Sequence, residues 1–142
     1  MPVAIKRAYD PASLSDGHRI LVDRLWPRGI SKTKAKIDHW LKNLAPSNEL
    51  RKWFHSGGNW PLFKKRYFKE LSTQEACADL EILYQLIEKH PQITLVYSSS
   101  NPLQNNAVAL KELLDGKKKP PSSSGPARAA AAGRIAKRRP SG

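Results

Sequence analysis

Ile20, Leu21 and Val22 form an apolar run without alternation, and it ends abruptly in Asp23-Arg24-Leu25-Trp26-Pro27-Arg28-Gly29. A strand with one wet face alternates apolar and polar residues. An unbroken run fits a strand buried on both faces, as in a parallel sheet. The exit of the run is unusual for a strand that only builds a core. It carries an acid, two arginines four residues apart, and a tryptophan that Pro27 forces into an extended conformation. Such a strand delivers charged groups to one end of the sheet.

The remaining periodicity completes an α/β pattern, a small mostly parallel sheet flanked by helices in a single domain. Val3–Arg7 is a short β-type run, and Ile93–Tyr97 is the clearest strand in the chain. The second strand is expected over residues 18–23, and one helical turn over residues 31–36. Residues 37–44 fit either a third strand or a helix, because Ile37, Trp40, Leu41 and Leu44 also match helical spacing. A short helix is expected over residues 48–54, ended by Gly57-Gly58. Asn59 caps the next helix, whose stripe is Trp60, Phe63, Tyr67 and Leu71. Ser72 with Glu75 reads as a capping box opening a third helix, with Ala76, Leu80, Leu83 and Ile87 on its apolar face. Asn101 as cap and Pro102 at the first position are expected to open the last helix, which Gly116 closes.

Charge divides the chain. The net charge is +13, yet residues 117–142 hold eight Lys/Arg and no acid, leaving 17 Lys/Arg against 12 Asp/Glu in residues 1–116. The expected division is an α/β domain over residues 1–116 and a basic tail over 117–142. The tail has Ile135 as its one large apolar residue, too little to offset the entropy of ordering, and reads as disordered. One cysteine, Cys77, excludes an internal disulfide and a multi-cysteine metal cage. The histidines His18, His39, His55 and His90 have no metal-ligand spacing, and no Gly-rich cofactor loop or nucleophile elbow is present, so neither metal nor cofactor is expected. No apolar run approaches a membrane span, and the N-terminus lacks a secretion signal. A cytoplasmic, reducing location is the default expectation.

The chemistry converges on two segments. In open α/β sheets, ligands gather beyond the carboxyl ends of the strands. Ser98, Ser99, Ser100 and Asn101 follow the last strand, and Asn105 and Asn106 lie in the first turns of the expected helix, where unpaired N–H groups favour anions. If the second and last strands are neighbours, Arg24 and Arg28 face the same crevice, with guanidinium forks suited to phosphate or carboxylate. Trp26 then packs or lines the ligand, and Asp23 orients Arg24 or acts as an acid or base. Asp23 paired with Arg24 purely to order the loop is the plainer alternative. Two adjacent asparagines are poor helix formers, which favours a role outside structure for Asn105 and Asn106. The expected partner is a small phosphate-bearing anion or nucleotide. The alternatives are nonspecific nucleic acid held by the basic tail, or a non-catalytic interaction module.

The run from Arg19 to Gly29 and the run from Leu41 to Phe54 resemble the signature of the YeaO-like branch of the family called domain of unknown function 488. Thr94-Leu95-Val96-Tyr97, with Asn105-Asn106-Ala107-Val108, resembles the same family's last strand and helix. The resemblance covers about residues 3–114 and leaves the tail out. It implies a small bacterial α/β protein and no particular reaction. Members commonly carry an acid shortly after the last strand. Here the neutral Asn101 stands in that place, which tilts the reading from catalysis toward binding.

Overall fold

The computed structural model describes residues 3–116. Its sheet has four strands: β1 (Val3–Arg7), β2 (His18–Leu21), β3 (His39–Trp40) and β4 (Ile93–Tyr97). Their order is β1-β4-β2-β3 and every adjacent pair is parallel. The last strand in sequence is thus central, with Ile93 opposite both Val3 and His18. All five of its residues are buried, as a parallel strand covered on both faces requires.

Alternation along the strands builds two cores. Ile20, Val22, Ile93, Leu95 and Tyr97 join a large core with the buried residues of four helices: α2 (Asn48–His55), α3 (Trp60–Glu70), α4 (Gln74–Lys89) and α5 (Asn106–Gly116). Leu21 and Val96 point the other way, into a smaller core with Trp26, Ile30, Ile37 and Trp40. The four longer helices therefore cover one face. The segment between β2 and β3, which contains the one-turn helix α1 (Lys32–Ala35), covers the other. Among the described residues, no helix is long and apolar enough to cross a membrane.

The short connection from β1 to β2 has no α-helix, only a 3-10 turn at Leu14–Asp16. It is fastened by charge instead. The buried Asp16 carboxylate accepts from Lys6 Nζ at 3.0 Å, Arg19 Nη1 at 2.7 Å and the Ser13 amide at 3.0 Å. Thr94 Oγ1 on β4 donates to the Asp16 carbonyl at 2.7 Å. Arg19 Nε also donates to the Ala35 carbonyl at 2.9 Å, while its buried Nη2 has no partner, so the buried pair is hydrogen-bonded on all but one side.

Three local expectations change. Residues 37–44, open between strand and helix, form the two-residue strand β3 and then a 3-10 turn at Lys42–Leu44. The cap of α4 is Thr73, whose side chain accepts from the Ala76 amide; Ser72 instead closes α3 by donating to the Lys69 carbonyl at 2.6 Å. Two adjacent hydroxyl residues can both cap, and the end of α3 claims the first. The last helix starts at Asn106, later than Asn101-Pro102 suggests. The Asn101 side chain caps only a local turn, accepting from the amides of Leu103 and Gln104 at 3.0 and 3.2 Å. Asn105 takes over the capping, accepting from the Val108 amide at 2.9 Å.

Candidate functional site

The carboxyl ends of β1, β2 and β4 lie at one edge of the sheet, and α2 stands across from them. Between them is a cavity of about 800 Å³. Asp23, Arg24, Trp26, Arg28, Ser98, Ser99, Ser100, Asn101, Asn105 and Asn106 all line it, so the two segments singled out in the sequence meet in space. The parallel pairing of β2 with β4 causes this, because it brings both strand exits to the same side.

Their individual roles differ from the simplest expectation. Asp23 does not pair with Arg24. One of its oxygens accepts from the Ser98 amide at 2.8 Å and the Ser98 hydroxyl at 2.6 Å; the other accepts from the Asn106 amide group at 3.0 Å. Asn106 Nδ2 also donates to the Val22 carbonyl at 2.9 Å. Asn105 and Asn106 thus both have structural duties, one as a helix cap and one as a tie to β2. The reason is position: at a helix start an asparagine is a good partner for orphan amides, whereas inside a helix it is a poor former.

Arg24 is left with freedom to act. Its Nη2 donates to the Ala45 carbonyl at 3.3 Å, but its Nε is buried with no hydrogen-bond partner. Buried donors are ordinarily satisfied. Arg28 is exposed at the cavity rim. Trp26 packs edge-on against Trp40, with centroids 5.6 Å apart, and its Nε1 donates to the Ile30 carbonyl at 2.7 Å. Its polar end is therefore held by protein, and its ring both packs and borders the cavity. Ser99 accepts from the Asn101 amide at 3.2 Å, and its carbonyl accepts from Arg7 Nε at 2.9 Å. Ser100 is exposed.

The cavity contains further groups that the sequence reading did not single out. Arg7 ends β1, and Arg51 and His55 stand one turn apart on α2. Arg7 follows from the same strand-exit rule that points to Arg24. Arg51 and His55 carry a weaker signal, helical i,i+4 spacing, which says they share a face but not what that face looks at. Tyr9 also lines the cavity, with its hydroxyl donating to the Arg28 carbonyl at 2.9 Å.

Four arginines thus line one cavity, and among the described residues Asp23 is its sole carboxylate. Tyr97, at the end of β4, adds no negative charge. Burial and then Asp10 push its hydroxyl above the ordinary phenol value, against opposing pulls from Asn105 and Arg7. Among the described residues, no group of three His, Cys, Asp or Glu side chains is placed to hold a metal ion.

These features define a small parallel α/β protein with a cationic cleft at the carboxyl end of its sheet. The chain belongs to a family described as the inactive DUF488-N3 subclade, whose model matches residues 2–129. That match runs past residue 116 into the basic segment, further than the resemblance seen in the sequence motifs. The chain is 46% identical over 115 residues to uncharacterized protein YeaO of Escherichia coli (strain K12), covering 80% of this chain and 97% of that one. It is 35% identical over 116 residues to uncharacterized protein Rv3073c of Mycobacterium tuberculosis (strain ATCC 25618 / H37Rv), covering 81% and 95%. The same figures hold for uncharacterized protein Mb3100c of Mycobacterium bovis (strain ATCC BAA-935 / AF2122/97). No solved structure matches the chain.

Proposed function

We propose that the cavity binds a phosphate-bearing small molecule or nucleotide, and that Arg24 and Arg28 hold the anion. The observation that carries this reading is the charge of the cavity: four arginines against one carboxylate already engaged by Ser98 and Asn106. Guanidinium groups suit phosphate by bidentate hydrogen bonding, and charge focused in a concave site raises the local concentration of anions. The unpartnered Nε of Arg24 supports it further. Binding is favoured over turnover, because Asp23 is occupied as an acceptor and the family is described as inactive.

A thermal-shift series with nucleotides and sugar phosphates tests this. Wild-type protein is stabilised by at least one of these anions, and the Arg24→Ala, Arg28→Ala double variant is not. Equal shifts in both proteins, or none in either, reject the reading.

The uncompensated charge of residues 117–142, eight Lys/Arg and no acid, favours a second reading, a nonspecific attraction to nucleic acid. Those residues lie outside the described part of the structure. Removing them abolishes binding to random-sequence DNA if the tail is the anchor. Undiminished binding by the truncated chain rejects it.

A further inference from the structure

We infer that the ligand of this cavity is a nucleoside diphosphate or triphosphate, with its polyphosphate on the arginines and its base on the ring of Tyr9. This rests on the anion reading given above and narrows it. Charge is the first argument. A phosphate monoester brings about −2 at neutral pH. Four guanidiniums facing one engaged carboxylate exceed that, and a polyphosphate balances them better. The arginines also come from different elements: Arg7 from β1, Arg24 and Arg28 from the exit of β2, and Arg51 from α2.

Space is the second argument. A cavity of about 800 Å³ is far larger than an inorganic phosphate requires. It lies in the range typical of sites that hold organic ligands, roughly 300–1,000 Å³.

The third argument is Tyr9. The residue is 44% exposed. Yet the ring is not loose. The Arg7 guanidinium stacks over it, 4.8 Å from the centroid, and its hydroxyl is tied to the Arg28 carbonyl. Both contacts are made with segments that carry cavity arginines. The result is an immobilised ring with open surface beside a cationic cleft, and Leu25, 71% exposed, adds apolar surface to the same cavity. A fixed aromatic is a stacking platform that loses little entropy on binding, and nucleobases stack on such rings whatever their identity.

Calorimetry with four probes tests the inference: inorganic pyrophosphate, adenosine, AMP and ADP, with GDP, CDP and UDP run alongside ADP. The tightest nucleoside diphosphate binds about tenfold or more tightly than pyrophosphate, the gain expected of one base–aromatic stack. It also exceeds AMP, and adenosine binds far more weakly than any of them. Tyr9→Leu removes the advantage of the diphosphates over pyrophosphate, while Tyr9→Phe, which keeps a ring beneath Arg7, retains most of it. Pyrophosphate binding as tightly as every diphosphate, or Tyr9→Leu having no effect, overturns this inference and leaves the anion reading standing. No binding by any phosphate probe overturns both.

Discussion

Asp23 and Asn106 stand 83 residues apart in sequence and meet through a hydrogen bond of 3.0 Å. The other Asp23 oxygen holds the amide and hydroxyl of Ser98, and Asn106 reaches the carbonyl of Val22 as well. One carboxylate therefore joins the exit of β2, the exit of β4 and the start of α5. Asp23, Ser98 and Asn106 all line the cavity, and the junction ties down the exit of β2 that carries Arg24 and Arg28.

Asp23→Ala leaves the Ser98 amide and the Asn106 side chain short of a partner in a partly buried setting. Stranded donors of this kind are expensive, and three bonds are lost together. The expected loss of stability is about 2–4 kcal/mol. Urea denaturation checks it, with a lower midpoint at unchanged slope. A midpoint within error of wild type means that the junction does not hold these elements together.

Gly17 and Gly29 both have positive φ, at 66° and 82°. Their surroundings separate them. A Cβ at Gly17 would meet the Gln92 carbonyl and come within 2.7 Å of the Gln92 Cβ, while a Cβ at Gly29 would meet nothing within 4 Å. Gly29→Ala should therefore show only the backbone cost, about 1–2 kcal/mol. Gly17→Ala adds a collision with backbone at the entry to β2, and the expected loss exceeds about 3 kcal/mol. Equal losses in the two variants, measured by denaturation, would falsify the steric account of Gly17.

The contrast between what the chain announces and what it conceals has a physical basis. β4 is legible because five successive buried positions need apolar or β-prone residues, and Ile-Thr-Leu-Val-Tyr supplies them. The strand-exit groups are legible because parallel pairing places both exits on one side, so Arg24 and Ser98 meet without any knowledge of the helices. The start of α5 is not legible in this way. Asn101-Pro102 is a strong local start signal, but Asn106 is held by Val22 and Asp23, and Asn105 supplies a second cap. A contact distant in sequence overrides a local preference. Arg51 and His55 are concealed for a related reason: their shared face is readable from spacing, but the docking of α2 against the sheet edge is not.

Asp16 should govern acid stability. Burial alone would raise its carboxyl above the ordinary value of 3.8. The Ser13 amide, Lys6, Arg19 and the Ser13 hydroxyl outweigh burial and hold it at about 2. A depressed carboxyl contributes stability that is fully present above its unfolded value and is lost as pH falls from 3.8 toward about 2. The contribution is about 2 kcal/mol. Asp16→Asn should flatten the fall in urea midpoint across that window. A variant that loses stability as steeply as wild type there assigns the acid sensitivity to other carboxylates.

A second pH window lies higher, at the same amino-terminal end of β2. His18 Nε2 and His39 Nδ1 are 2.7 Å apart, and the His90 ring stacks on His18 with centroids separated by 4.0 Å. A hydrogen bond between two imidazole nitrogens needs one of them unprotonated. Burial first, then His90, His39 and Lys89, hold the His18 imidazole below its ordinary value of 6.5, with Asp38 opposing them. The folded state therefore binds fewer protons than the unfolded chain just below pH 6.5. By linkage, stability from this group is complete above 6.5 and declines as pH falls below it. Urea midpoints should drop as pH falls below 6.5, well before Asp16 titrates. His18→Gln should reduce that drop while leaving the lower window of Asp16 in place. Midpoints that hold steady or rise on acidification in wild type would mean that the folded surroundings of His18 do not disfavour its protonation.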